Sequence, residues 1–238
     1  MNSRIAEGGI ILAEVIVAIV FGVLEGNGAV YFFNKMPARW FCDYGETPTH
    51  EMLDTSIQRV KSHPWKYLFT GAFIVLNIKL FTDDWQFALA ATCAIWLLLE
   101  LSLADKKFNI VPDQLLILLA ITAIGFLPFH SSWKNCLFGA LIGFGVVAAI
   151  AFVGRLAYKR DAVGGGDIKL FAVLGLISGV YGIVFILATS ALLSAWHFIY
   201  LIIRSKAKIT DTRPMVPYIA IASIIYWVLF WGRDIGFW

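Results

Sequence analysis

Gln86 to Ala104, "QFALAATCAIWLLLELSLA", runs nineteen residues with a single charged side chain, Glu100, and ends on "DKK", Asp105 to Lys107. A helix that crosses the hydrocarbon of a bilayer needs about 20 mainly apolar residues. This stretch has that length and a charged stop, so it reads as a membrane span. Outward from it, apolar runs bounded by charge or turn residues occupy 8–33, 66–82, 113–129, 136–157, 167–181, 182–203 and 216–234. The boundary near Gly182 is the least marked of these. About eight spans in one polytopic all-α membrane protein are expected.

Composition agrees. Of 238 residues, 60% are hydrophobic and 15% charged, with a mean hydropathy of +0.78, whereas soluble domains carry about a quarter charged residues. The chain divides into a first transmembrane helix over 1–33, a cytoplasmic segment over 34–65 and a seven-helix membrane region over 66–238. Cys42, Cys93 and Cys136 are far apart and odd in number, which excludes a disulfide framework. The first run contains Glu14 and lacks a small-residue cleavage pattern, so it reads as a retained helix rather than a signal peptide.

Lys and Arg are kept on the cytoplasmic side of a membrane. Assigning 34–65, 104–112, 158–166 and 204–215, with the flanking helix ends, to one face gathers fourteen of the nineteen basic residues there. Both termini then lie outside. The net charge of +3 follows from this loop bias, and no basic stripe interleaved with aromatics points to nucleic acid. Lipid is the expected surrounding partner.

With that topology two aspartates reach the same face from different spans. Asp105 closes the third in "LSLADKKFNIVPD", and Asp167 opens the sixth in "AVGGGDIKL". Carboxylates near hydrocarbon are costly and are functional-site candidates by default. Two close together titrate as a coupled pair, the arrangement an aspartic protease uses to activate water and protonate a leaving amine. Gly164, Gly165 and Gly166, lacking Cβ atoms, could take positive φ and let an extended peptide lie beside Asp167. The competing reading makes the glycines a plain turn or helix contact and Asp167 a complement to the helix dipole.

The context resembles a known family. "AVGGGDIKLFAVLG", Ala162 to Gly175, resembles the GxGD signature of type IV prepilin peptidases, and "DKKFNIVPD" is similar to their other catalytic segment, with Asp105 seven residues before Pro112. "GNGAVYFFNKMP", with Gly26 and Pro37, and "PMVPY", Pro214 to Tyr218, are weaker matches in the same order. The resemblance implies an aspartic endopeptidase of the bacterial cytoplasmic membrane that removes the short basic leader of prepilins or pseudopilins after a glycine. It carries the catalytic roles to Asp105 and Asp167 only, near the cytoplasmic face; the substrate-binding role expected of Gly164, Gly165 and Gly166 rests on their missing Cβ atoms. Asp113 competes for the first catalytic role but sits where an acid ordinarily compensates the helix dipole. Lys169 is expected to snorkel to headgroups or to steady the cytoplasmic helix end. Glu100 and His197, both within spans, are expected to be satisfied by neighbouring helices.

There are departures. Members with paired CxxC motifs after the first helix bind zinc there, but Asn34 to Trp65 holds only Cys42, so no metal is expected. Proteolysis requires no cofactor. Bifunctional members methylate the new N-terminus with S-adenosylmethionine, and the short segment leaves that activity open. "GGIILAEVIVAIV" resembles a prepilin cleavage region itself, with Gly9 before the cut and Glu14 beyond it, but a leader must lie in the cytoplasm and the charge pattern puts this end outside. Two alternatives stand beside the main reading. One is another GxGD protease of the preflagellin or signal-peptide-peptidase type; the other is a non-enzymatic membrane assembly factor.

Overall fold

A computed structural model describes residues 2–42, 45–54, 58–158, 164–204 and 213–232. Among these the chain is helical, with α1 over Asn2–Lys35, α2 over His50–Leu53, α3 over Ser62–Asp83, α4 over Trp85–Phe108, α5 over Asp113–Phe126, α6 over Trp133–Tyr158, α7 over Gly165–Ile203 and α8 over Val216–Ile225. No strand occurs among the described residues. Lys159, Arg160, Lys206, Lys208 and Arg233, used in the charge argument, lie outside them, as do Ala162 and Val163.

By length and apolarity, Leu12–Lys35, Trp85–Phe108, Trp133–Ala157 and Gly165–Ile203 can each cross a membrane, and Asp113–Phe129 and Val216–Phe230 are shorter apolar helices. The expected span at 66–82 falls within α3, which carries Lys66, Asn77, Lys79 and Asp83 and is not among the long apolar set. Large apolar side chains stand exposed along the helices, including Val75, Ile124, Phe152, Leu156 and Trp196, the last 81% exposed. That is the outward face of a protein whose solvent is lipid. The chain is an all-α, multi-pass membrane protein.

Two compact units divide it, residues 1–96 and 97–238, with the division inside α4. In the N-terminal unit α1 and α3 meet at small residues. A Cβ on Gly22 would lie 2.6 Å from the Ile74 amide nitrogen, and one on Gly26 would lie 2.3 Å from Thr70 Cα. Backbones pressed this close recover in dispersion what membrane helices cannot gain from the hydrophobic effect.

In the C-terminal unit α7 is not one straight rod. A Cβ on Gly143 would be 2.2 Å from the Phe171 carbonyl oxygen and 3.1 Å from Ile183 Cγ1. Those two residues would be about 18 Å apart along an unbroken helix, so the chain doubles back between them. The reversal is at Gly179, with φ +69° and ψ −173°, a conformation essentially confined to glycine. The break opens backbone groups that need partners. Asn135 Oδ1 accepts from the Val180 amide at 3.1 Å, and His130 Nε2 donates to the Ile177 carbonyl at 2.8 Å. Asn135 Nδ2 in turn donates to His130 Nδ1 at 3.3 Å. The boundary expected near Gly182 is therefore at Gly179, because the capping groups from the start of α6 and the turn before it select that residue.

Candidate active site

Local chemistry explains how the C-terminal unit presents its two aspartates. Helix α4 ends where Asn109 turns left-handed, φ +58°, a conformation that asparagine tolerates better than most side chains. The Asn109 amide still donates to the Asp105 carbonyl at 2.8 Å, so Asp105 occupies the last turn. The loop continues to Pro112, whose fixed φ initiates α5 at Asp113. On the other side Gly164 caps α7, which makes Asp167 its third residue. The Asp167 carboxylate accepts from the Gly164 backbone amide, the back-bond made by an acid at this position of a capping box. Capping accounts for an acid at position 167. It does not account for a second acid brought beside it.

Asp105 is 7% exposed, and its Oδ2 accepts from the Val216 amide at 2.9 Å. That amide belongs to the first turn of α8, where helix N–H groups lack internal partners, so α8 begins by anchoring Asp105. Asp167 is half-buried and within electrostatic reach of Asp105. The side chain of Asp105 is thus fixed from behind, while Asp167 opens onto the exposed Gly164 and Gly165.

The three glycines do different things. None has positive φ; among the described glycines only Gly45, Gly179 and Gly232 do. A Cβ on Gly166 would come within 2.6 Å of Val111 Cβ, so this glycine lets the α4–α5 loop approach α7. Gly165 has nothing within 4 Å of such a Cβ, and Gly164 has only Asp167 Oδ2 at 3.5 Å. The expectation of positive φ is corrected. Close approach is to this chain's own loop at Gly166, and open space is confined to Gly164 and Gly165.

Asp113 and Lys169 are brought together, with Lys169 Nζ 2.7 Å from Asp113 Oδ1 and 3.0 Å from Oδ2. The lysine therefore has a protein carboxylate as partner, not only headgroups, and Asp113 is engaged away from Asp167. His197 Nδ1 bonds the Tyr218 hydroxyl, as expected of a satisfied intramembrane histidine. Glu100 departs from expectation. It is fully buried, and neither carboxylate oxygen has a hydrogen-bond partner among the described residues.

The N-terminal unit holds a polar cluster that residue spacing alone does not announce. Glu25 Oε2 accepts from Asn77 Nδ2 at 2.7 Å, and Thr92 Oγ1 lies 2.6 Å from Glu25 Oε1 and 2.8 Å from Asn77 Oδ1. Trp96 Nε1 donates to the Glu25 carbonyl at 3.1 Å. Glu25 next to Gly26 in a packed helix was the available signal. Nearer the end of α1, Asn34 Nδ2 and Oδ1 pair with the Val60 carbonyl and amide, each at 2.9 Å. Arg59 donates to the carbonyls of Phe33, Met36 and Met52. These bonds wall a groove of about 1070 Å³ lined by Tyr31, Asn34, Asp54, Gln58 and Lys66, among others.

The fold and site define a polytopic helical membrane protein with two carboxylates from separate helices at one end of its C-terminal unit. Residues 91–199, which include both aspartates, match the type IV leader peptidase family. A prepilin leader peptidase/N-methyltransferase of Aeromonas salmonicida is 30% identical over 178 residues, 74% of this chain and 60% of that protein. The protein of the same name from Bacillus subtilis is 33% identical over 144 residues, 57% of this chain and 53% of its own length. That from Pseudomonas aeruginosa is 30% identical over 159 residues, 65% and 53% of the two lengths. The chain thus spans about half to three-fifths of these relatives. No solved structure matches it.

Proposed function

We propose that this protein is an aspartic endopeptidase that removes the short basic leader of prepilins or pseudopilins after a glycine, with Asp105 and Asp167 as the catalytic pair. The observation that carries the reading is the pair itself, one carboxylate anchored by a helix amide and the other bordering open backbone. Two carboxylates in electrostatic reach do not both ionise cheaply, so they hold one proton between them. The ionised member takes a proton from water as the oxygen attacks the scissile carbonyl. The protonated member then delivers its proton to the amine as the C–N bond breaks. Exposed Gly164 and Gly165 leave room for an extended segment, the form in which a peptide bond is accessible.

In this reading the protein sits in the bacterial cytoplasmic membrane with its termini outside and the aspartates near the cytoplasmic face, where a basic leader is retained. Prepilin substrates are supported by the names of the relatives, which favour the prepilin branch over preflagellin or signal-peptide peptidases. Methyl transfer would belong to the N-terminal unit. Its groove is roomy for a nucleoside-sized ligand, and the polar side chains of Asp54, Gln58 and Lys66 are among those that would face S-adenosylmethionine there. Bound there, that cofactor would supply an electrophilic methyl group.

The deciding experiment is cleavage of a model prepilin by the purified protein and by Asp105→Asn and Asp167→Asn, each checked for membrane insertion. Loss of cleavage in both is expected. Normal turnover in either, or loss in Asp113→Asn with retention in Asp105→Asn, would remove the assignment.

A further inference from the structure

We propose that Lys169 and Asp113 form a positioning clamp that sets the spacing of Asp105 and Asp167, an inference that rests on the reading of those two as the catalytic pair. The first turn of α7 carries Asp167, and the first turn of α5 is joined to Asp105 only by the last residues of α4 and the short loop to Pro112. Two of the contacts between these surfaces act in opposite directions. At Gly166 the contact with Val111 is steric and can only push them apart. At Lys169 the ammonium meets both oxygens of Asp113, 56 residues away in sequence, and can only draw them together. The contact sets the least separation and the ion pair the greatest, so together they define a distance.

Helix geometry makes the arrangement possible. Lys169 is two residues beyond Asp167, about 200° around the helix, so its ammonium leaves the side of α7 away from the catalytic carboxylate. Asp113 then gives a flexible stem a fixed destination. The two side chains are 53% and 34% exposed, and exposed pairs add little to global stability. The clamp should therefore be visible in turnover and nearly invisible in unfolding.

The test uses the full chain in detergent with a synthetic prepilin segment bearing a basic leader, a glycine and the following apolar helix. Lys169→Gln and Asp113→Asn are expected to lower kcat about fivefold each, the scale of one exposed ion pair, with KM within about twofold and Tm nearly unchanged. Lys169→Arg, which can still grip a carboxylate in two places, should stay close to wild type. The exchanged pair Asp113→Lys with Lys169→Asp should recover most of the lost kcat. An exchanged pair no faster than the single variants, a loss confined to KM, or unaltered turnover in the singles would overturn the clamp. Cleavage that survives Asp105→Asn or Asp167→Asn would instead overturn the site, whatever the clamp variants do.

Discussion

Gly166→Ala tests the geometry most sharply, because Gly165→Ala is a control one residue away. A Cβ at 166 would stand 2.6 Å from Val111 Cβ and 2.9 Å from its Cγ2, whereas one at 165 meets nothing within 4 Å. Carbon atoms prefer separations of roughly 3.5–4 Å, so the first turn of α7 and the 109–112 loop must part by about an ångström. Overpacking of this kind costs about 1–3 kcal/mol. The larger effect is on chemistry, since a misplacement of about 1 Å in a reacting group can cost on the order of a hundredfold in rate. Gly165→Ala should change stability by less than about 0.5 kcal/mol and leave turnover near wild type. Steady-state cleavage and thermal unfolding of the two variants read both quantities. Adding Val111→Gly to Gly166→Ala removes the clashing Cβ and should return part of the lost rate, while Val111→Ala keeps that atom and should return less. Equal activity of Gly165→Ala and Gly166→Ala would refute the close-approach argument.

Two further outcomes follow from the fold and the charge pattern. Gly179→Ala places a side chain at φ +69° and 2.5 Å from Asn135 Nδ2, so a loss of about 2–4 kcal/mol is expected; an unchanged unfolding temperature would mean that α7 does not reverse there. Cysteines at Lys61 and Lys107 should react only with cytoplasmic reagent and those at Asp83 and Lys134 only from outside, in a background lacking the native cysteines. Reaction of cysteines at 107 and 134 from the same face would remove the orientation on which the proposed leader recognition depends.

Much of this was legible because a bilayer imposes one pattern on every span. Apolar length and charged stops locate α1, α4 and α6 and find both aspartates, which stand at span ends. The reversal in α7 was less legible. Ser178, Gly179 and Gly182 are all compatible with a break, and the choice is made by Asn135 and His130, distant in sequence. Gly166 was read as room for substrate, since no pattern within 162–170 reveals that Val111 lies against it. The bond between Lys169 and Asp113 was hidden for the same reason, each having a sufficient local explanation in headgroup contact or dipole compensation. Glu25 escaped because its partners, Asn77 and Thr92, come from other helices and no spacing within its own run points to them.

Five acids of the described helices separate by how their oxygens are occupied, and that separation favours one pair for chemistry. Glu25 is held by Asn77 and Thr92 on both oxygens, which suits a structural cross-link within the N-terminal unit. Asp113 is taken by Lys169. Glu100 is sealed, fully buried without a hydrogen-bond partner among the described residues, so it has no route to a substrate. Asp105 has one oxygen fixed by Val216, and Asp167 is tied to the Gly164 amide beside exposed backbone. A carboxylate that must move a proton needs both a fixed position and an approach for water. Asp105 supplies the first and Asp167 borders the second, so the two together meet a requirement that none of Glu25, Asp113 and Glu100 meets alone.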